Sequence, residues 1–92
     1  MEVFIYIILV YDIGEKRVAK ILKTCRKYLN WVQNSVFEGE LTPGKFEALK
    51  MELKEKMKLD EDSVLIYYLR TKRMMKKQII GIEKNDPSDN II

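Results

Sequence analysis

The sequence predicts an α+β domain in which two helices lie against one face of an antiparallel sheet, and three observations carry that expectation. Residues 3–11 form an unbroken apolar run, VFIYIILVY. Two later segments repeat apolar residues at the three- and four-residue spacing of a helix face. Residues 63–69, SVLIYYL, return to β-branched and aromatic composition. At 92 residues, 47% apolar and 34% charged, the chain is one compact globular domain with no room for a second.

The apolar run is too short for an isolated helix and rich in Val, Ile, Phe and Tyr, so it reads as a central strand covered on both faces. After Asp12, Ile13 and Gly14, residues 15–29 place Val18, Ile21, Leu22, Cys25 and Leu29 on one helical stripe. Asn30 is a reasonable stop, because Asn tolerates the left-handed conformation common just past a helix end. Residues 31–41 alternate like a strand and fit either one bent strand or a hairpin of two short ones, with Gln33 and Asn34 the only place for the turn. Thr42 followed by Pro43 is an N-cap and a first helical residue, and Phe46, Leu49, Leu53 and Met57 give the second helix its apolar face, to about Lys58. Residues 63–69 are the next strand. Residues 78–82, with Gln78, Ile79, Ile80 and Ile82, form an extra short strand, and residues 83–92 are expected to be a polar, mobile tail outside the 1–82 domain.

This order is the ferredoxin-like βαββαβ sandwich with one added C-terminal strand. Its second sheet face needs cover. Strand one is apolar on both sides, so a homodimer stacking sheet on sheet is expected, with residues 78–82 pairing to the partner's sheet edge.

Composition also excludes chemistry. One cysteine, Cys25, makes no internal disulfide, and with no histidine there is no zinc ligand set, no Ser-His-Asp triad and no Cys-His pair. Any reaction must run on carboxylates, hydroxyls, lysines or metal-bound water. The run at residues 3–11 is far shorter than the roughly 20 residues of a membrane span. Glu2 before it and Asp12 after it do not suit a secretory signal, so a cytoplasmic protein is expected.

The net charge is only +3, but residues 16–27 hold six cations and no anion, and residues 70–77 hold five and no anion. Two basic blocks suit a polyanion such as nucleic acid, and equally a solvated helix face with a charged strand edge. Asp12 ends an apolar strand abruptly, where a carboxylate loses solvation and needs a cation, a donor or a proton. It reads either as the cap of helix one or as a metal ligand. One carboxylate is a poor Mg²⁺ site, but a twofold axis near the strand ends would bring two copies of Asp12 to one cleft. Arg17 is a phosphate ligand or a surface arginine. Ser35 and Phe37 are sheet packing, or, with Tyr11, the walls of a groove with Ser35 bonding phosphate. Cys25 lies on the apolar stripe and reads as core.

Val10-Tyr11-Asp12-Ile13, then Arg17 and Lys20, then Val32-Gln33-Asn34-Ser35-Val36-Phe37-Glu38-Gly39-Glu40-Leu41, resemble the CRISPR-associated Cas-two family over residues 1–82. The resemblance implies a ferredoxin-like homodimer whose last strand crosses to the partner's sheet. It implies Mg²⁺-dependent endonuclease activity on RNA or double-stranded DNA, with Asp12 of each subunit as metal ligand. It further implies a role with the Cas-one integrase in spacer acquisition, in which the dimer acts as a duplex-DNA-binding scaffold and cleavage can be dispensable. Tyr11, Asp12, Arg17, Ser35 and Phe37 are the matched site positions. Asn30 replaces a common glycine, and Ala19 interrupts the basic run, so duplex binding leans on Lys16, Lys20 and Lys23 beside Arg17.

Overall fold

The computed structural model describes residues 3–71 and 74–82, with side chains at 3–69 and 78–82. The order is β1 (Ile5–Asp12), α1 (Val18–Tyr28), β2 (Asn30–Gln33), β3 (Val36–Leu41), α2 (Pro43–Lys56), β4 (Ser63–Thr71) and β5 (Met74–Gly81). The strands form one five-stranded sheet in the order β2-β3-β1-β4-β5, with every neighbouring pair antiparallel. This is the expected ferredoxin-like sandwich with an added edge strand.

β1 is central because it pairs on both sides, Leu9 facing Phe37 on β3 and Ile66 on β4. Strand alternation sorts its residues. Ile5, Ile7 and Leu9 are buried under the helices with Ile21, Cys25, Phe37, Phe46, Leu49, Leu53, Val64, Ile66 and Ile80. Tyr6, Ile8 and Val10 take the opposite face and are only half-buried within one chain. Leu65, Tyr67 and Leu69 on β4, Val36 on β3 and Ile79 on β5 share that open face. There Tyr6 donates its hydroxyl proton to Glu38 at 2.7 Å, and that bond is the main reason the Tyr6 phenol titrates above its ordinary value.

Residues 30–41 resolve into two strands, and the turn is Asn34 and Ser35, with Asn34 left-handed at φ 45°. Asn30 does not end the first helix in that conformation. Leu29 does so with extended backbone at φ −129°, its N–H bonding the Cys25 carbonyl, and Asn30 is already in β2. α1 also begins three residues later than Glu15, because Gly14 to Arg17 form a turn closed by an Arg17 N–H to Gly14 carbonyl bond of 2.9 Å. α2 starts as the sequence predicts, Thr42 Oγ1 accepting the Lys45 N–H at 3.3 Å with Pro43 in the first helical turn. It ends at Lys56.

β5 is longer than residues 78–82 and runs from Met74, so Arg70 of the second basic block falls on β4 and Lys76 and Lys77 on β5, with side chains outside the described residues, while Lys72 and Arg73 lie outside them altogether. In this single chain β5 pairs with its own β4, Ile80 opposite Val64, whereas the expectation put it on a partner's sheet. Pairing within the chain uses the same ladder bonds, and it buries Ile80 in the chain's own core. The tail at residues 83–92 lies outside the described residues.

Candidate active site

Asp12 is the last residue of β1, on the same strand face as Tyr6, Ile8 and Val10, and it is exposed. Its backbone partner is Ser63, the first residue of β4. It does not hold the cap position of α1, which belongs to Arg17 and carries no side-chain cap bond. The expected loss of solvation at Asp12 is therefore absent: the strand ends at the rim of the sheet, where water reaches the carboxylate.

The buried acid is Asp62, just beyond the same backbone pair on the β4 side, with no exposed surface. Its Oδ1 accepts the Gly14 N–H at 2.8 Å and Arg17 Nη2 at 2.9 Å, and its Oδ2 accepts Arg17 Nε at 2.6 Å and the Lys58 N–H at 2.8 Å. The Arg17 guanidinium holds this carboxyl well below the usual carboxylate range, helped by the two backbone donors, against the opposing effect of burial. Arg17 also reaches Glu61 at 3.3 Å. Arg17 is thus not a free surface arginine: its Nε and Nη2 are engaged on Asp62. Sequence reasoning missed Asp62, which sits in the run Asp60-Glu61-Asp62 and looks like a solvated loop. The available signal was its contact with an apolar strand, the argument already applied to Asp12.

The β2–β3 turn packs against the end of β1. The Tyr11 N–H bonds the Ser35 carbonyl at 3.1 Å, and Trp31 Nε1 donates to the Asn34 carbonyl at 3.0 Å. Ser35 is half-buried beside Tyr11. Phe37 is fully buried, with its ring centroid 6.2 Å from that of Tyr11. Phe37 therefore supports Tyr11 from the core side; it does not line an open groove, because strand alternation turns it under the helices. Tyr11, Asp12 and Ser35 are brought to one end of the sheet, and Phe37 lies behind them.

Lys16, Lys20 and Lys23 are exposed before and along α1. With Arg17 engaged on Asp62, these three are exposed cations of the first block. Lys27 instead bonds Glu52 on α2, which also accepts the Tyr28 hydroxyl, so part of the basic helix is used to join the two helices. Burial pushes the Cys25 thiol up to about 12, which removes it as a nucleophile. Among the described residues, no group of three or more Cys, Asp or Glu side chains is placed to hold a metal ion within one chain. No helix among them is long and apolar enough to cross a membrane.

Comparison with known proteins bears on the family and the fold. Residues 5–77 match the family model described as CRISPR associated protein Cas2. The chain is 53% identical over 81 residues to a protein of Thermotoga maritima named CRISPR-associated endoribonuclease Cas2, covering 88% of this chain and 93% of that one. It is 52% identical over 80 residues to a protein of the same name from Dictyoglomus turgidum, covering 87% and 92%. A relative in Archaeoglobus fulgidus, CRISPR-associated endoribonuclease Cas2 2, is 45% identical over the full 92 residues of both chains. A solved structure titled "Crystal structure of cas2" superposes with a TM-score of 0.71 at 41% identity, over 90% of this chain and 93% of that one. With the family model spanning most of the sheet and both helices, the chain belongs to the CRISPR-associated Cas2 family.

Proposed function

We propose that this chain is a CRISPR-associated endonuclease that hydrolyses phosphodiester bonds of RNA or double-stranded DNA, acting as a Mg²⁺-dependent homodimer. The observation that carries the reading is Asp12, an exposed carboxylate at the end of the central strand, on the sheet face that one chain leaves open. The relatives' name, endoribonuclease, supports the reaction class.

A second copy stacked on the open face would cover Ile8, Val10, Val36, Leu65, Tyr67 and Ile79. The outer edge of β5, with Gln78 and Ile79 along it, offers further pairing to that copy, while Ile80 stays in its own core and Ile82, just past the strand, bonds Asp62. One acid per chain suits such an arrangement, since Mg²⁺ is usually held by one or two carboxylates, with water and substrate phosphate oxygens completing its shell. When bound, Mg²⁺ supplies polarisation of the phosphoryl group and activation of the attacking water. The chain's own work is then positional. Asp12 of each copy holds the site. Tyr11, packed on Phe37 on the helix side, and the Ser35 turn hold the end of β1 that carries Asp12, and Lys16, Lys20 and Lys23 attract the phosphate backbone.

A second reading is a non-catalytic duplex-DNA-binding scaffold working with the Cas-one integrase in spacer acquisition. It is favoured by the exposed Lys16, Lys20 and Lys23 before and along α1, a surface whose attraction for a duplex would not need Asp12. Labelled single-stranded RNA and duplex DNA incubated with wild type and Asp12→Asn, in Mg²⁺ or EDTA, separate the two. The nuclease reading expects cutting by wild type in Mg²⁺ only, and binding without cutting by the variant. Steeply salt-dependent duplex binding with no cutting by either protein leaves the scaffold.

A further inference from the structure

We infer that Asp62, held by Arg17, is the positioning residue for Asp12: its carboxylate fixes the loop after β1 and with it the direction in which Asp12 leaves the sheet. The inference rests on the reading of Asp12 as a metal ligand.

The β1–β4 ladder ends at the pair Asp12 and Ser63, so past that point no strand bond holds the chain after Asp12 to its neighbour. Asp62 bridges the gap. Two residues beyond Asp12, the Gly14 N–H is bound by Asp62 Oδ1 at 2.8 Å, and Arg17 closes the turn onto both oxygens of the same group. A carboxylate offers about four lone-pair sites. Gly14, the two Arg17 nitrogens and Lys58 occupy them, so Asp62 has no capacity left to be a ligand itself. The packing is tight as well: a Cβ on Gly14 would stand 2.4 Å from Arg17 Nη2, so any larger residue there must displace the fork. The Asp62 carbonyl in turn accepts the Ile82 N–H at 3.0 Å, which anchors the support on β5.

The test uses full-length Asp62→Asn, Arg17→Lys and Gly14→Ala, each kept only if its far-UV circular dichroism matches wild type, with Asp12→Asn alongside. Three quantities are read: hydrogen exchange of the amides in residues 12–17, Mn²⁺ affinity from paramagnetic broadening of nearby amide signals, and kcat against KM for RNA cleavage. Loss of a residue that orients a metal ligand typically costs about 10- to 100-fold in metal affinity or activity. Asp62→Asn is expected to show a drop of that order in Mn²⁺ affinity and kcat, with faster exchange confined to the loop and KM unchanged. Arg17→Lys keeps the charge but loses the fork and should fall between. Unchanged loop exchange in every folded variant overturns the inference. Faster exchange with wild-type Mn²⁺ affinity and kcat also overturns it, because Asp62 would then serve only stability. If Asp12→Asn still binds Mn²⁺ like wild type, the reading of Asp12 fails, while loop exchange continues to report whether Asp62 orders the segment.

Discussion

Asp12 and Asp62 meet at the same end of the β1–β4 ladder, one pairing with Ser63 and the other preceding it, yet they have opposite environments. Asp62 is sealed from solvent and saturated by an arginine fork and two backbone amides. Asp12 is exposed on the open face of the sheet. A carboxylate whose lone pairs are filled by its own fold stabilises that fold and offers nothing to a ligand. Asp12 instead keeps solvent-exposed surface at the rim of the sheet, where a ligand can approach it. The contrast teaches that an acid beside an apolar strand is a question about donors within reach, and that the buried member of such a pair supports the exposed one.

The comparison breaks most visibly in stability. Asp62→Ala removes the acceptor of two backbone N–H groups and of most of the Arg17 fork, Arg17 keeping Glu61 at 3.3 Å, and donors left without their acceptor cost about 1–3 kcal/mol. Asp12→Ala, at an exposed carboxylate, should cost less than Asp62→Ala. Paired denaturant melts check both, and equal losses would erase the distinction.

Gly81→Ala acts on the same support from the other side. Gly81 has φ +95°, and a Cβ would stand 2.0 Å from the Asp62 carbonyl oxygen, so a loss of about 1–3 kcal/mol is expected from strain at that residue. A melt that matches wild type would show that β5 is not anchored there.

Acid sharpens the contrast. The folded pKa of Asp62 lies below its unfolded value of about 3.9, so its contribution is fully present above that pH and drains away as pH falls toward the folded value. Stability measured between pH 6 and 2 should therefore fall more steeply for wild type than for Asp62→Asn, and parallel curves would contradict the assignment. The smallest effect is on the open face. Tyr6→Phe removes the bond to Glu38 and should cost about 0.5–1.5 kcal/mol, with cleavage unchanged.

Much of the fold was legible because hydrophobic periodicity is a local property. The apolar run ending at Tyr11, the stripe through Ile21 and Cys25 and the Thr42-Pro43 start all correspond to observed elements. Their edges were less legible. The first helix starts at Val18 because the preceding turn is claimed by Asp62, and the left-handed asparagine is Asn34 because the hairpin needs its turn there. At the site, Tyr11, Asp12 and Ser35 gather at one sheet end as their spacing suggests. Arg17 and Phe37 are diverted, one by an acid 45 residues away and the other by strand parity.

The sequence by itself determined the α+β class, the element order, the central strand and the poverty of catalytic groups that leaves Asp12 as the principal acid to consider. These follow from composition and from patterns repeated over a few residues. Only the tertiary structure decided which acid is buried, where Arg17 is spent and which face of the sheet is left open. Those outcomes depend on contacts between segments distant in the chain, and a carboxylate's solvation is set by the groups that arrive around it.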